Sequence, residues 1–312
     1  MKSFLIEPSP HIKSTASTQK IMLNVIIALF PSVVAGTIIF GLRALLLVVL
    51  CATFCVLSEY IFNIVTKRQQ TISDLSAVVT GVLLGLNLPV SLPVYMAAIG
   101  SAVAIIAVKQ FFGGIGQNFA NPAITARIVL MLSFASHMTS WVEPFSYTGK
   151  VDAVASATPL SLESGLPSYL DMFLGLRSGC IGETCVAAIL LGGIYLISLR
   201  IINPVTPVLF IGTVALCSFF KGNDVLMDIM SGGLMLGAFF MATDYATTPL
   251  TTKGKAVFAV GCGLITFAIR EFGTYPEGVS YAILVMNILT PQIDKITMNK
   301  PFGVKRRAKK DE

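Results

Sequence analysis

The side chains best suited to chemistry lie in or beside long apolar segments. Glu59, Asp74 and Asp244 stand near the ends of such segments, and Arg127 stands well inside one. An ionisable group in apolar surroundings needs a partner, so the three carboxylates are candidates for an ion path. The alternative is that each caps a helix or reaches a polar interface. Arg127 needs an anion, which is either a carboxylate or the phosphate of a cofactor.

A glycine-rich break precedes the segment that contains Arg127. The run FFGGIGQNFANPA places Asn118 and Asn121 three residues apart, with Pro122 next. Such a break offers free backbone N–H groups and amide side chains to a polar ligand. The alternative is that the asparagines only cap the helix that follows. No strand is predicted before the glycines, so the run does not indicate a dinucleotide-binding fold.

Common metal-binding and catalytic patterns are missing from the sequence. The two histidines, His11 and His137, fall in predicted loops, and there is no HExxH motif and no pair of CxxC motifs. Four of the six cysteines lie in apolar runs, where a thiol behaves as a small apolar group. We therefore predict no metal site and no catalytic side chain in this chain.

The composition is that of a membrane protein. Of the 312 residues, 54% are hydrophobic and 12% are charged, and mean hydropathy is +0.80. Soluble proteins carry about 25% charged residues and could not cover so much apolar surface. The net charge of +6 comes from basic residues in loops and in the tail, which is typical of cytoplasmic segments and does not predict nucleic-acid binding. No cleavable signal peptide of the usual form is predicted.

Ten apolar segments are long enough, or nearly so, to be transmembrane helices. They form two groups of five on either side of a long polar interval, and 75–88 and 121–136 are short and rich in glycine or preceded by it. The predicted spans are about 21–40, 42–65, 75–88, 92–110, 121–136, 183–200, 205–220, 225–243, 254–271 and 276–291.

The distribution of Lys and Arg predicts the orientation. Sixteen of the 22 fall on the side of the N-terminus and five on the other, with Arg127 inside a span. Both termini are therefore expected in the cytoplasm of a multi-pass cell-membrane protein. The loop 137–182, which contains Trp141, is expected on the outer side.

Two pairs of segments indicate an internal repeat. Residues 106–130 can be aligned with 267–289, and 76–89 with 231–244. Because each half has an odd number of spans, the second half is inverted, which predicts an all-α fold of two inverted five-helix repeats with some short or broken helices. The alternative is that glycine-rich membrane helices look alike by composition.

These expectations divide the chain into five parts. The predicted parts are a cytoplasmic N-terminal segment 1–20, a first five-helix repeat 21–136, an outer loop 137–182, a second repeat 183–291 and a basic cytoplasmic tail 292–312.

Seven motifs, in order along nearly the whole chain, resemble the RnfD/NqrB family of flavin-carrying membrane subunits. They are SPHIK (9–13), DLSAVVTGVLLGLNLP (74–89), GGIGQNFANPA (113–123), DAVASATPL (152–160), GETC (182–185), SGGLMLGAFFMATD (231–244) and REFGTYPEGVSYAILVMN (270–287). The short segment before the first span is more similar to RnfD than to NqrB, which has a longer extension.

The resemblance implies that FMN is attached through its phosphate to the hydroxyl of Thr158. Without the resemblance, Thr158 before Pro159 is only an extended loop residue. The matching motif is Ala155-Ser156-Ala157-Thr158, with Ser156 where the family usually has glycine. The resemblance also implies a riboflavin within the membrane domain, for which we expect contacts from Asn118 and Asn121. Arg127 and Glu183 are further cofactor-binding candidates.

The resemblance implies a subunit of an Rnf complex, which oxidises ferredoxin with NAD⁺ and exports Na⁺ or H⁺. The expected partners are the other subunits, including a second flavin-carrying subunit and membrane electron carriers, together with the lipid bilayer. Such a subunit is part of an oxidoreductase and translocase, with no complete activity alone. The alternatives are an NqrB-like subunit of a sodium-pumping NADH:quinone reductase, and a stand-alone transporter or channel with an inverted repeat.

Overall fold

The computed structural model describes residues 17–148, 155–156, 168–273 and 278–298, most of which are helical. The helices are α1 (Thr18–Phe40), α2 (Leu42–Val65), α3 (Ser76–Leu86), α4 (Val94–Ala102), α5 (Pro122–Ser133), α6 (Ala135–Met138), α7 (Tyr169–Leu174), α8 (Val186–Ser198), α9 (Val205–Lys221), α10 (Val225–Met230), α11 (Leu234–Leu236), α12 (Thr252–Phe272) and α13 (Val279–Thr297). π-Helical segments at Val103–Gln110 and Gly237–Met241 continue α4 and α11, and 3-10 turns lie at Ile72–Asp74 and Ser146–Thr148.

Several of these helices are suited to cross a membrane. By length and composition α1, α2 and α12 are each long and apolar enough to do so, and five shorter apolar helices accompany them. A helix satisfies its own backbone hydrogen bonds, which is why it can lie in lipid. The chain is thus a mainly α-helical, multi-pass membrane protein, as its composition predicts.

The helices run between two ends of one bundle. We call the end where α1 begins the lower end, and the end where α1 terminates the upper end. At the lower end, the hydroxyl of Tyr195 near the end of α8 donates to Asn24 of α1 at 3.0 Å. At the upper end, the N–H of Phe145 donates to the carbonyl of Ile39 at 2.9 Å. The helix between these contacts has 23 residues and is about 34 Å long.

Close backbone contact joins α2 to α3. A Cβ atom on Gly81 would lie 2.5 Å from the Cα of Ala52, and one on Gly85 would lie 2.8 Å from the Cα of Val48. The two glycines form a GxxxG pattern, which lets membrane helices approach closely. Their pairing shows that α3 runs antiparallel to α2, from the lower end towards the upper end.

The segment corresponding to predicted span 225–243 is a broken helix. It is interrupted between α10 and α11 at Gly232 and Gly233, whose φ angles are 44° and 47°. The guanidinium of Arg270 on α12 donates to the carbonyls of Asp228, Ser231 and Gly232 at 2.7, 2.9 and 3.0 Å. These bonds satisfy carbonyl groups that the break leaves without helical partners.

A two-stranded ribbon lies in the loop at the upper end. Strand β1 (Trp141–Val142) pairs antiparallel with β2 (Ala155–Ser156), with Trp141 opposite Ser156. The hydroxyl of Tyr147 also donates to the carbonyl of Ile38 at 2.9 Å. These contacts hold the described part of the loop against the end of α1.

Candidate functional site

A cavity opens at the lower end, between elements from both halves of the chain. It encloses about 90 Å³ and adjoins a second, wider cavity of about 650 Å³ that shares Ile21, Gly116 and Asp244 with it. Its walls come from the first turns of α1 and α3, the glycine-rich break, the end of α8 and the segment after the second π-helix. The two adjoining cavities together offer several hundred cubic ångströms, which suits a small organic ligand.

The two asparagines of the glycine-rich break both line this cavity but differ in their bonding. Asn121 is the N-cap of α5, and its Oδ1 accepts from the N–H groups of Ala123 and Ile124 at 3.0 and 3.4 Å. The buried Oδ1 of Asn118 accepts no hydrogen bond within the part of the chain that the structure describes. A buried acceptor without a partner is costly, so Asn118 is the better placed of the two to accept a bond from a ligand.

The buried Glu59 is the centre of a polar cluster beside the cavity. Its Oε2 lies 2.8 Å from Lys109 Nζ, and its Oε1 accepts from Gln110 and Thr71 at 3.0 and 2.5 Å. Lys109 also donates to the Ser76 hydroxyl at 2.5 Å. The side chains of Glu59 and Lys109 are 0% and 2% exposed, so each charge depends on the other. We call these five residues the Glu59 cluster.

The other two ion-path candidates take part in local turns. Asp74 accepts from the N–H and the hydroxyl of Ser76 at 2.8 and 2.6 Å and thereby satisfies the first N–H group of α3. Asp244 accepts from the Thr247 hydroxyl at 3.2 Å and lines the cavity. Through Ser76, Asp74 is hydrogen-bonded to the Glu59 cluster, so two of the three carboxylates predicted as candidates belong to one network.

Arg127 has a carboxylate as its anion. Its Nη1 lies 2.6 Å from Glu183 Oε1 and donates to the Asn87 side chain at 2.9 Å and to the Ser280 hydroxyl at 3.3 Å. Its Nη2 lies 3.4 Å from the sulfur of Cys180. None of these five residues lines either cavity. Arg127 and Glu183 therefore form a second buried site, separate from Asn118 and Asn121.

A hydrogen bond between two side chains at the upper end joins α7 to the start of α10. The Tyr169 hydroxyl donates to the carboxylate of Asp224, the N-cap of α10. The hydrogen bond lowers the pKa of Asp224 because it stabilises the charged carboxylate, and it raises the pKa of Tyr169 because the phenol must stay protonated to donate.

Thr158 lies outside the described residues, but its neighbours Ala155 and Ser156 lie within them. These two residues form β2, and the ribbon to which they belong sits at the upper end. The segment preceding Thr158 is thus at the end of the bundle opposite the cavity.

Comparison with known proteins decides the family. The sequence model of the NQR2, RnfD, RnfE family matches residues 5–303 of this chain. The chain belongs to this family. The resemblance inferred from the sequence motifs is therefore confirmed.

Three family members illustrate the similarity, and each is the D subunit of its complex. The chain is 48% identical over 306 residues to that of the Na(+)-translocating ferredoxin:NAD(+) oxidoreductase complex of Acetobacterium woodii, with 96% of this chain and 95% of that protein covered. It is 44% identical over 323 residues to that of the proton-translocating ferredoxin:NAD(+) oxidoreductase complex of Clostridium ljungdahlii, with 97% of each covered. It is 35% identical over 334 residues to that of the ion-translocating oxidoreductase complex of Stutzerimonas stutzeri, with 94% of each covered.

Lys109 is the main residue of the site that the sequence did not single out. The distribution of Lys and Arg along the sequence placed Lys109 in an inner loop. In the structure it lies in the first π-helix and is buried. The internal alignment of 106–130 with 267–289 contained a signal, because it pairs Lys109 with Arg270. Both are basic residues near the end of an apolar helix, and both make buried or half-buried polar contacts.

Proposed function

We propose that this chain is the D subunit of an ion-translocating ferredoxin:NAD⁺ oxidoreductase complex. In this role it relays electrons between flavins and partner subunits while Na⁺ or H⁺ is exported. The names of the relatives from Acetobacterium woodii and Clostridium ljungdahlii support the complex and the subunit. These names differ in the ion, so the coupling ion stays Na⁺ or H⁺.

The observation that carries a flavin-binding role is Asn118 Oδ1 in the cavity, which accepts no hydrogen bond from the described residues. The imide N–H of a flavin ring is a donor suited to that oxygen, and the apolar first turns of α1 and α3 suit the flat ring. Asn121 holds the start of α5 in place, so that the loop carrying Asn118 keeps its shape. We assign riboflavin to this cavity, where it supplies one- and two-electron chemistry.

A second flavin, FMN attached covalently to Thr158, belongs at the upper end. Its support is the motif Ala155-Ser156-Ala157-Thr158 and the position of β2 beside the end of α1. The two flavins would then lie near opposite ends of α1, a helix about 34 Å long. The chain would thus offer electron-carrying groups on both sides of the bilayer, with other subunits completing the route.

The Glu59 cluster and Asp244 are the candidates for the ion path. They bring carboxylates to the wall of the cavity and to the space behind it. Moving one ion against about 150 mV requires about 3.5 kcal/mol, which a modest drop in electron potential can supply.

We also propose that the two halves are inverted five-helix repeats. In the first half, Lys109 contacts Ser76, and in the second half the aligned Arg270 contacts the aligned Ser231. Gln110 and Glu271 also align. Gln110 donates to Glu59 on α2, and Glu271 forms an ion pair with Lys221 on α9. Composition alone would not make aligned residues form corresponding contacts at opposite ends.

The test is to purify the complex from its native membrane and look for flavin on this subunit. After denaturing electrophoresis the subunit band should fluoresce, and its peptide containing Thr158 should be heavier by FMN less one water. In the Thr158→Ala variant the band should lose its fluorescence, while acid-released riboflavin stays at the parent level because it binds at the other end.

The outcome also separates the alternative functions. A subunit with no flavin, covalent or released, from a host that carries the flavin transferase would favour a stand-alone transporter or channel. If the mass of the peptide fragments places FMN on Ser156 instead of Thr158, only the attachment residue is corrected. The NqrB-like alternative predicts quinone reduction by NADH in place of ferredoxin oxidation, and the names of the relatives argue against it.

A further inference from the structure

Lys109 lies between the cavity and the buried carboxylate of Glu59. It lines the cavity, as does Ser76, whereas Glu59 lies behind it and does not. The Lys109 ammonium donates to Glu59 on one side and to the Ser76 hydroxyl on the other, at 2.8 and 2.5 Å. It is therefore the positive charge between the proposed flavin site and a fully buried carboxylate.

The π-helix gives Lys109 this position. The bond from Phe111 N–H to the carbonyl of Ile106 spans five residues, and the wider turn places Lys109 and Gln110 side by side against Glu59. π-Helical turns inside α-helices are rare and are frequent at functional sites. Because Gln110 holds the other carboxylate oxygen, Glu59 keeps its orientation if the lysine moves.

We propose that Lys109 couples the charge in the cavity to the charge of Glu59. The inference rests on the proposed flavin in that cavity. Negative charge that arrives in the cavity draws the flexible ammonium group away from Glu59. The carboxylate is then buried without its cation, and it takes up one H⁺ or Na⁺ in place of the lysine.

The step is balanced in charge. A flavin held by Asn118 would accept one electron from the electron carriers of the complex, and the cavity would then gain one negative charge. One cation bound at Glu59 compensates it, and the only covalent bond formed is an O–H bond when the cation is a proton. When the electron leaves, Lys109 returns to Glu59 and the cation is released. Among the described residues, the other charged groups nearby include Asp74 through Ser76, Asp244 on the cavity wall, and Arg68, which donates to the Gln110 carbonyl. The thiol of Cys55 is a further titratable group that interacts with Glu59 and Lys109.

The test measures the potential of the releasable flavin in the purified complex, by spectroelectrochemical titration at several Na⁺ concentrations and pH values. All variants are made on Thr158→Ala so that this subunit carries one flavin. Lys109→Gln should lower the equilibrium constant for uptake of the first electron at least tenfold. For a one-electron couple this lowers the reduction potential by about 59 mV or more. Lys109→Arg should restore most of this loss.

Removing only the lysine leaves Glu59 unpaired and can prevent folding, so a double variant is also needed. Glu59→Gln with Lys109→Gln removes both charges and keeps polar groups in place. It should bind flavin with a potential that no longer depends on Na⁺ and that lacks the pH dependence contributed by Glu59. The matched control is Lys221→Gln with Glu271→Gln, the aligned charge pair at the upper end, which should keep the parent potential and its ion dependence.

The outcomes separate this inference from the proposed function. If the flavin is bound and the double variant keeps the parent's potential and ion dependence, Lys109 is only a structural partner of Glu59. If the parent complex holds no releasable flavin, the flavin assignment for the cavity fails, and the role of Lys109 fails with it.

Discussion

At the scale of single residues, Asn118 and Asn121 of the glycine-rich break have different roles. Asn121 uses its oxygen to cap α5 and its nitrogen to bond the Met241 carbonyl at 3.4 Å. Asn118 keeps a buried oxygen free of hydrogen bonds from the described residues. The sequence left capping and ligand binding open for both, and the geometry assigns capping to Asn121 while leaving Asn118 available to a ligand.

Asn118→Leu should therefore weaken riboflavin binding without disturbing α5. An unpaired donor on the ligand costs about 1–3 kcal/mol, which is about five- to 150-fold in affinity. Releasable flavin per complex, measured after washing in detergent, should fall accordingly. Gln117→Leu is the matched control, since Gln117 is in the same loop and does not line the cavity. Equal flavin retention by the two variants would exclude Asn118 as a contact.

The ion pairs could not be predicted from the sequence. Glu59 and Lys109 are 50 residues apart, and Arg127 and Glu183 are 56 apart. Hydropathy shows that each charge lies in or near a span and needs a partner, but the choice of partner depends on which helices are neighbours. For Arg127 this left both a carboxylate and a cofactor phosphate as possible anions.

At the scale of elements, the close contact between α2 and α3 holds the wall of the cavity. Both Gly81 and Gly85 lie on α3, whose first turn carries Ser76. Gly81→Ala should push the helices apart and destabilise the protein by about 1–3 kcal/mol, because the added methyl meets backbone that cannot move easily. The measurement is thermal unfolding in detergent followed by fluorescence-detected gel filtration.

Gly212→Ala is the control for this prediction. It makes the same change in α9, where an added Cβ meets nothing within 4 Å. Because alanine favours helix over glycine by up to about 1 kcal/mol, this variant should be as stable as the parent or more so. Comparable destabilisation in both variants would exclude close packing between α2 and α3 as the cause.

The bounds of the predicted spans agree well with those of the observed helices, but the irregular turns within the helices were not predicted. Span 42–65 coincides with α2, and 205–220 differs from α9 by one residue. Span 225–243 was not predicted to divide at Gly232, and the π-helix at Val103–Gln110 was not predicted at all. Hydropathy averages over a whole turn, so it locates apolar segments but cannot detect a changed hydrogen-bond register.

At the scale of the whole molecule, the two ends differ in charge and in content. The lower end has the cavity and a series of basic residues near helix termini, among them Lys20, Lys67, Arg68, Lys253 and Lys255. The upper end has the ribbon that leads to Thr158. An excess of Lys and Arg marks the cytoplasmic side of a membrane protein, so the lower end is expected in the cytoplasm.

Cysteine labelling in intact cells should confirm this orientation. Lys20 lies in the first turn of α1 at the lower end, and Asn223 lies at the upper end after α9, beside Asp224. Both are exposed. With Cys185 and Cys217 replaced by alanine in both variants, an impermeant maleimide should label Asn223→Cys and not Lys20→Cys. Both should react once the cells are permeabilised, which controls for reactivity. The reverse pattern would place the cavity outside and the ribbon before Thr158 in the cytoplasm, and a flavin fixed there would need no tether against loss to the medium.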